Sequence, residues 1–472
     1  MLRILFLSLF VLPGLVQAED RYHVIFSERL ETVTVEACYD GNPPAYLYRS
    51  DEARPFVNHI LANRQAIDPF SRYGRLHVPA LPADSCIEWQ VNLERAAESL
   101  SDRLALNTDG TYLTSGSLWF WRDDERRNIR IDVELPPGAS LSAPWQQLPH
   151  DPNMPGNVLS FRPAHTPASW TSRIAVGKFR VQEIPVANTH LRLAVVGQPS
   201  ERQQRRFTQW IGETGESVAT VYGEFPQPGV QVLVVPLGPQ RATVPWAHVI
   251  RGGGPAVELF VDENRDLSSL RKDWTATHEL SHLLLPYVSS ADRWLSEGLA
   301  SYYQSVLRAR DGRLSEREAW QKLHRGFQRG QAATRDGVDL AAATRGGWGN
   351  VMRVYWSGAA MMLKADTQLR LRSGGQQSLD TALAQLRDCC FDPGKSWRAS
   401  ELFAQLDRLT GHDIFSELYR EHVPDENFPD ISPVYDYLGL VAETGSISLD
   451  HRAPGSRTRS SIMRQEEVLR YD

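Results

Sequence analysis

The chain has 472 residues, of which 42% are hydrophobic and 23% charged, with a formal net charge of −6. That length and apolar content suit two or three folded domains. Arginine-rich stretches such as Arg202–Arg206 and Arg122–Arg130 are broken by acidic or apolar residues. They read as solvated faces and exclude nucleic acid as a partner.

Residues 1–18, MLRILFLSLFVLPGLVQA, combine Arg3, an apolar run Ile4–Leu12, a Pro13-Gly14 break and the small-residue ending Val16-Gln17-Ala18. This predicts a secretory signal peptide and an exported chain, periplasmic or secreted, with a signal anchor as the alternative. The run is too short to span a bilayer, and no later run approaches the ~20 apolar residues a spanning helix needs. No stable membrane insertion is therefore expected after cleavage.

Residues 19–187 read as a β-rich domain. Glu31–Cys38, Ile129–Leu135 and Ile174–Ile184 alternate apolar and polar side chains, and Ser117–Trp121 is an apolar, aromatic run. Turn signals such as Asn107-Thr108-Asp109-Gly110 and Pro136-Pro137-Gly138 separate them. Many short strands with such turns predict a β-sandwich. Cys38 and Cys86 share this region and are placed to join. Cys389 and Cys390 are adjacent, for which free or partly paired thiols are an equal reading.

From residue 188 the pattern changes. Leu191–Val196, Val230–Val235 and Ala256–Val261 read as strands. Between the first two, Phe207, Trp210, Ile211, Val218, Val221, Tyr222 and Phe225 fall at helical spacing. Arg251-Gly252-Gly253-Gly254 precedes the third strand, which carries Glu258. The plain reading of these glycines is a flexible loop before a buried strand.

Residues 278–282 read HELSH. On a helix, H-E-x-x-H places two imidazoles one turn apart on one face, where His278 and His282 can share one zinc ion. Glu279 then sits beside the metal as a general base. Ala276, Leu280, Leu283 and Leu284 can anchor the segment, and Pro286 stops it. Glu297 follows in WLSEGLASYY, on a second helical run, and is the candidate third ligand. Fourteen residues (283–296) separate it from His282, which implies a short connecting loop. Asp292, nearer that loop, is the substitute ligand. The chain is then mainly helical to about 423, and the proline-rich end from residue 424 reads as partly packed.

HELSH with WLSEGLASYY resembles the gluzincin metallopeptidases, and within them the glycyl aminopeptidase family, a relative of the aminopeptidase N family. Residues 354–383 extend the resemblance. In those families a tyrosine in a Y-x-K-G pattern points at the substrate carbonyl. Tyr355 falls on that tyrosine and Gly358 on its glycine, with Ser357 in place of the lysine. Taken alone, Tyr355 reads as a core tyrosine of an amphipathic helix; the resemblance implies that it stabilises an oxyanion. It also implies that Gly252, Gly253, Gly254 and Glu258 bind substrate, the glycines through an edge-strand backbone and the acid through the free amine.

The fold class expected is therefore α+β and multidomain: a signal peptide (1–18), an N-terminal β-sandwich (19–187), a thermolysin-like zinc peptidase subdomain (188–310), a helical subdomain (311–430) and a C-terminal tail (431–472). The PDZ module common in the glycyl aminopeptidase family is expected to be absent, because too few residues remain. The expected function is peptide-bond hydrolysis with one zinc per chain, an aminopeptidase acting on a peptide or protein substrate. A catalytically silent peptide-binding protein and a zinc hydrolase of non-peptide bonds are the alternatives.

Overall fold

The structure is a computed structural model that describes residues 19–67, 75–100, 105–121, 123, 128–164, 171–392, 394–443 and 445–464. The expected signal peptide lies outside the described residues. No described helix is long and apolar enough to cross a membrane.

Among the described residues the N-terminal region holds two large sheets and a two-stranded ribbon, Tyr46–Tyr48 with Arg75–His77. The larger has eight strands, in the spatial order Gln146–Gln147, Val158–Arg162, Asn128–Glu134, Glu19–Phe26, Thr32–Cys38, Cys86–Asn92, Val57–Ala62 and Gln65–Ala66. The smaller has four: Ser140–Ser142, Arg173–Gly177, Thr111–Ser115 and Ala105–Thr108. Alternation along Glu19–Phe26, Thr32–Cys38 and Cys86–Asn92 buries one side-chain set, while Thr111–Ser115 and Arg173–Gly177 are buried on both faces. Val24, Val33, Val35 and Ile131 of the larger sheet share a core with Tyr112, Ile174 and Val176 of the smaller. Ser117–Trp121 differs from a strand. Gly116–Trp119 forms one helical turn, capped by the Ser115 side chain, that drives Trp119 and Trp121 into this core. Cys38 and Cys86 face each other across two adjacent strands and are disulfide-bonded, and Cys389 and Cys390 are bonded to each other.

A five-stranded sheet follows, ordered Val181–Val186, Thr189–Val195, Gln231–Pro236, Ala256–Val261 and Trp246–Ile250. It begins at Val181, ahead of the expected boundary at 188, because Val181–Val186 pairs with the strand after it. Trp246–Ile250 forms the edge, antiparallel to Ala256–Val261. The faces of Ala256–Val261 go to different places. Val257, Leu259 and Val261 enter the core beneath the helices, whereas Phe260 packs with Leu113 and Ala175 of the N-terminal region.

Three helices carry the residues of interest: Thr275–Ser281, continued by a 3-10 turn His282–Leu284; Arg293–Arg310; and Val351–Arg372. The last two cross at paired glycines. A Cβ on Gly358 would meet the Trp294 carbonyl at 2.1 Å, and one on Gly298 would meet Gly358 Cα at 2.4 Å. The absence of both side chains lets the backbones touch and sets Glu297 and Tyr355 at one level.

Residues 431–443 and 445–464 of the segment expected to be a partly packed C-terminal tail are folded. They form a helix Ser432–Leu438, a hairpin Leu440–Glu443/Ser446–Leu449 and a helix Ser456–Met463. Leu438, Ile447, Ile462 and Met463 are buried, and the buried Arg459 donates to Leu438 O and to Glu316. A polar, proline-containing segment packs when its few apolar residues and one arginine find partners far away in sequence.

Candidate active site

His278 and His282 project from one face of their helix, as i and i+4 spacing requires. Their Nε2 atoms lie 3.3 and 3.5 Å from Glu297 Oε2. One ligand atom from each of the three residues falls within 4.8 Å of the others. Tetrahedral bonds of about 2.05 Å to nitrogen and oxygen would put donor atoms roughly 3.3 Å apart, so the donor set matches a zinc ion in type and spacing. The other grouping of metal-ligand residues among the described residues, Glu36 with Cys38 and Cys86, has its sulfurs tied in a disulfide.

The far sides of both imidazoles are held. His278 Nδ1 is 2.9 Å from Gln304 Oε1, which accepts its hydrogen and leaves the Nε2 lone pair facing Glu297. His282 Nδ1 is 2.8 Å from Ser296 Oγ. Sequence reading missed both partners, although Ser296 precedes Glu297 and Gln304 follows it by two helical turns on the same face. Such outer contacts fix ring orientation, and their loss typically costs 10–100-fold in metal affinity. Gln304→Leu is therefore expected to weaken zinc binding by about that factor with little loss of helix content. Competition titration against a zinc chelator reads the change, and unchanged affinity would remove Gln304 from the ligand-orienting set.

Arg251 is a further residue whose place the sequence did not disclose. It is half-buried, and its guanidinium donates to His282 O at 2.6 Å and Leu285 O at 3.0 Å. These carbonyls lie at the end of the histidine helix and its 3-10 turn; His282 O also accepts from Leu285 N at 3.3 Å, and the cation braces this end through a side-chain bond from a distant segment. Burial lowers its pKa to about 10, leaving it charged at neutral pH.

Glu279 is buried beside the ligands, with Oε2 4.0 Å from His282 Nε2. Val249 N–H, on the free edge of Trp246–Ile250, donates to its carboxylate. Burial raises its pKa to about 7, against the pull of His278. Burial lowers the pKa of His282 to about 4, with Glu297 opposing. For His278 burial works downward, but the Glu297 hydrogen bond and the charges of Glu279 and Glu297 outweigh it and raise the pKa. Glu297 is pushed up by burial, yet His282, His278 and a hydrogen bond from Tyr355 hold it below its usual range. Tyr355 stacks on the His278 ring at 5.9 Å, with 16° between planes. Burial and the Glu297 charge raise its pKa, so it remains a protonated donor.

The expected substrate-binding set is not assembled here. Glu258 points to the opposite face of its strand. Arg173 Nε lies 3.0 Å from its Oε1, and His248 Nε2 lies 3.2 Å from its Oε2. Period-two alternation places Glu258 toward the N-terminal sheets, while Val257 and Leu259 face the helices. Gly252, Gly253 and Gly254 are buried against the N-terminal region. A Cβ would lie 2.3 Å from Ser172 N at Gly252 and 2.0 Å from Pro144 O at Gly254, and Gly253 adopts φ +85° beside Trp145. They admit a neighbouring backbone of the protein itself. The free strand edge lies just before them, at Trp246–Ile250. Asp292, the substitute ligand, instead accepts from Arg398 Nε and Ala399 N and caps a distant helix.

Comparison with protein-family models gives no match, and neither does comparison with curated proteins. Solved structures do match in fold. An aminopeptidase N family protein from Idiomarina loihiensis aligns with TM-score 0.69 and 14% identity over 89% of this chain and 78% of that one. An M1 zinc metallopeptidase from Deinococcus radiodurans gives 0.53 and 15% over 88% and 94%, and a mutant of it has been solved with a Tyr-Ser-Ala substrate. Yeast LTA4 hydrolase gives 0.54 and 11% over 84% and 66%. The chain thus has the fold of these aminopeptidase N family and M1 metallopeptidase structures, the fold that its motifs led us to expect.

Proposed function

We propose that this protein is a zinc-dependent metallopeptidase. The observation that carries the reading is the convergence of His278 Nε2, His282 Nε2 and a Glu297 oxygen at tetrahedral spacing, with Glu279 and Tyr355 at the same centre. His278, His282 and Glu297 would hold one zinc. When bound, zinc supplies a Lewis acid that acidifies a water and polarises a carbonyl. Glu279, whose pKa is about 7 in its buried position, takes the proton of the attacking water and returns it to the leaving amine. The Tyr355 hydroxyl donates to the oxygen that becomes negative as the carbonyl carbon turns tetrahedral. Gln304, Ser296 and Arg251 keep the two imidazoles in place.

Cleavage next to a free N-terminus is the finer reading, and the fold likeness supports it. Glu258 cannot be the acid that grips the amine, since Arg173 and His248 engage it.

The test is elemental analysis of the pure protein together with a library of short peptides, free and N-acetylated. We expect one zinc per chain, hydrolysis that chelation abolishes and zinc restores, and a preference for free N-termini. Well under one equivalent of zinc after reconstitution would overturn the metal reading. Zinc with no hydrolysis of any peptide would favour the binding-protein or non-peptide alternatives, and equal cleavage of acetylated peptides would make the enzyme an endopeptidase.

A further inference from the structure

Eight large apolar side chains are exposed among the described residues, and three of them, Trp274, Tyr287 and Met352, lie on the segments that build the site. Trp274 is 46% exposed, four residues before His278, with its ring edge-on to that imidazole at 5.3 Å. Tyr355 covers the face of the same imidazole, and Met352, 39% exposed, lies one turn earlier on the Tyr355 helix.

Local helix chemistry does not explain the tryptophan. Trp274 occupies the N-cap of the histidine helix, a position that favours Ser, Thr, Asp or Asn, and makes no capping bond there. Asp273 does that work instead, accepting from Thr275 N at 2.8 Å. The core does not explain it either, because nearly half of the side chain is in solvent. What sets Trp274 apart from a singly exposed surface residue is its place against the His278 ring, where an aromatic side chain can line a ligand site.

We infer that Trp274 is a specificity-determining platform, one that receives a large apolar or aromatic side chain of the peptide adjoining the scissile bond. This rests on the peptidase reading. An aromatic side chain laid on the indole removes apolar surface of both partners from water and adds ring contact, which a small side chain cannot do.

The experiment compares kcat/KM for peptide pairs that differ only in Phe or Ala, placed in turn on each side of the cleaved bond. Wild-type protein is expected to prefer Phe at one of these positions. Trp274→Ala is expected to reduce that Phe-to-Ala ratio by about 10- to 100-fold, and Trp274→Phe to restore most of it. The ratio separates the role from folding damage, which lowers both rates together. Absence of a preference, or a preference that survives Trp274→Ala, overturns the inference. Failure of the peptidase reading appears differently, as no cleavage of either peptide. Calorimetric binding of the same peptides to zinc-loaded Glu279→Gln protein then decides about Trp274, and equal affinities for the Phe and Ala peptides overturn it.

Discussion

Glu279→Gln is expected to keep its zinc and its fold while kcat falls by about 10²–10⁴-fold, the range in which general bases contribute. Glu279 is not one of the three convergent donors, so its loss leaves the ligand set intact. Glutamine has the same shape, and its amide oxygen can still accept from Val249 N–H. What disappears is the ability to take a proton. Burial has brought the Glu279 carboxyl to about 7, where at neutral pH a base combines adequate basicity with a usefully large ionised fraction. A bound cation would favour the ionised form further. Steady-state kinetics with parallel zinc analysis measures the outcome. Turnover at the wild-type rate on any peptide that the native protein cleaves would remove Glu279 as the base.

Tyr355→Phe is expected to lower kcat by about 10²–10³-fold while changing KM little. A donor aimed at a developing oxyanion acts mainly in the transition state, so its removal appears in kcat. The ring that stacks on His278 is retained, and only the hydroxyl, with its hydrogen bond to Glu297, is lost. The thermal midpoint should therefore move little. A large drop in midpoint with nearly unchanged kcat would make Tyr355 an ordinary packed tyrosine that happens to sit beside the histidines.

Much of the candidate site was legible before any coordinates. The imidazole pair needs only one turn of helix, and Ala276, Leu280, Leu283 and Leu284 mark that helix and its buried face. Glu297 was readable because it sits among Trp294, Leu295, Leu299 and Tyr302, all buried as a core-facing helix requires. Both signals are periodicities within a dozen residues. The strands Thr189–Val195, Gln231–Pro236 and Ala256–Val261 were visible for the same reason, as short runs rich in valine and leucine. The edge strand Trp246–Ile250 was not, because Pro245 precedes it and a half-exposed edge carries no strong alternation.

Local spacing thus determined which helix holds the histidines, where the base sits between them and which acid follows. It could not determine which way Glu258 points in use, since that depends on Arg173, 85 positions away and in another sheet. It could not show that Gly252, Gly253 and Gly254 accommodate Ser172, Trp145 and Pro144 and not a substrate. Nor could it show that Arg251 braces the end of the histidine helix, or that the last segment packs around Arg459. Each of these outcomes is set by burial and charge pairing between distant segments. A buried carboxylate or guanidinium goes wherever a partner offsets its lost hydration, and only the assembled chain brings that partner near.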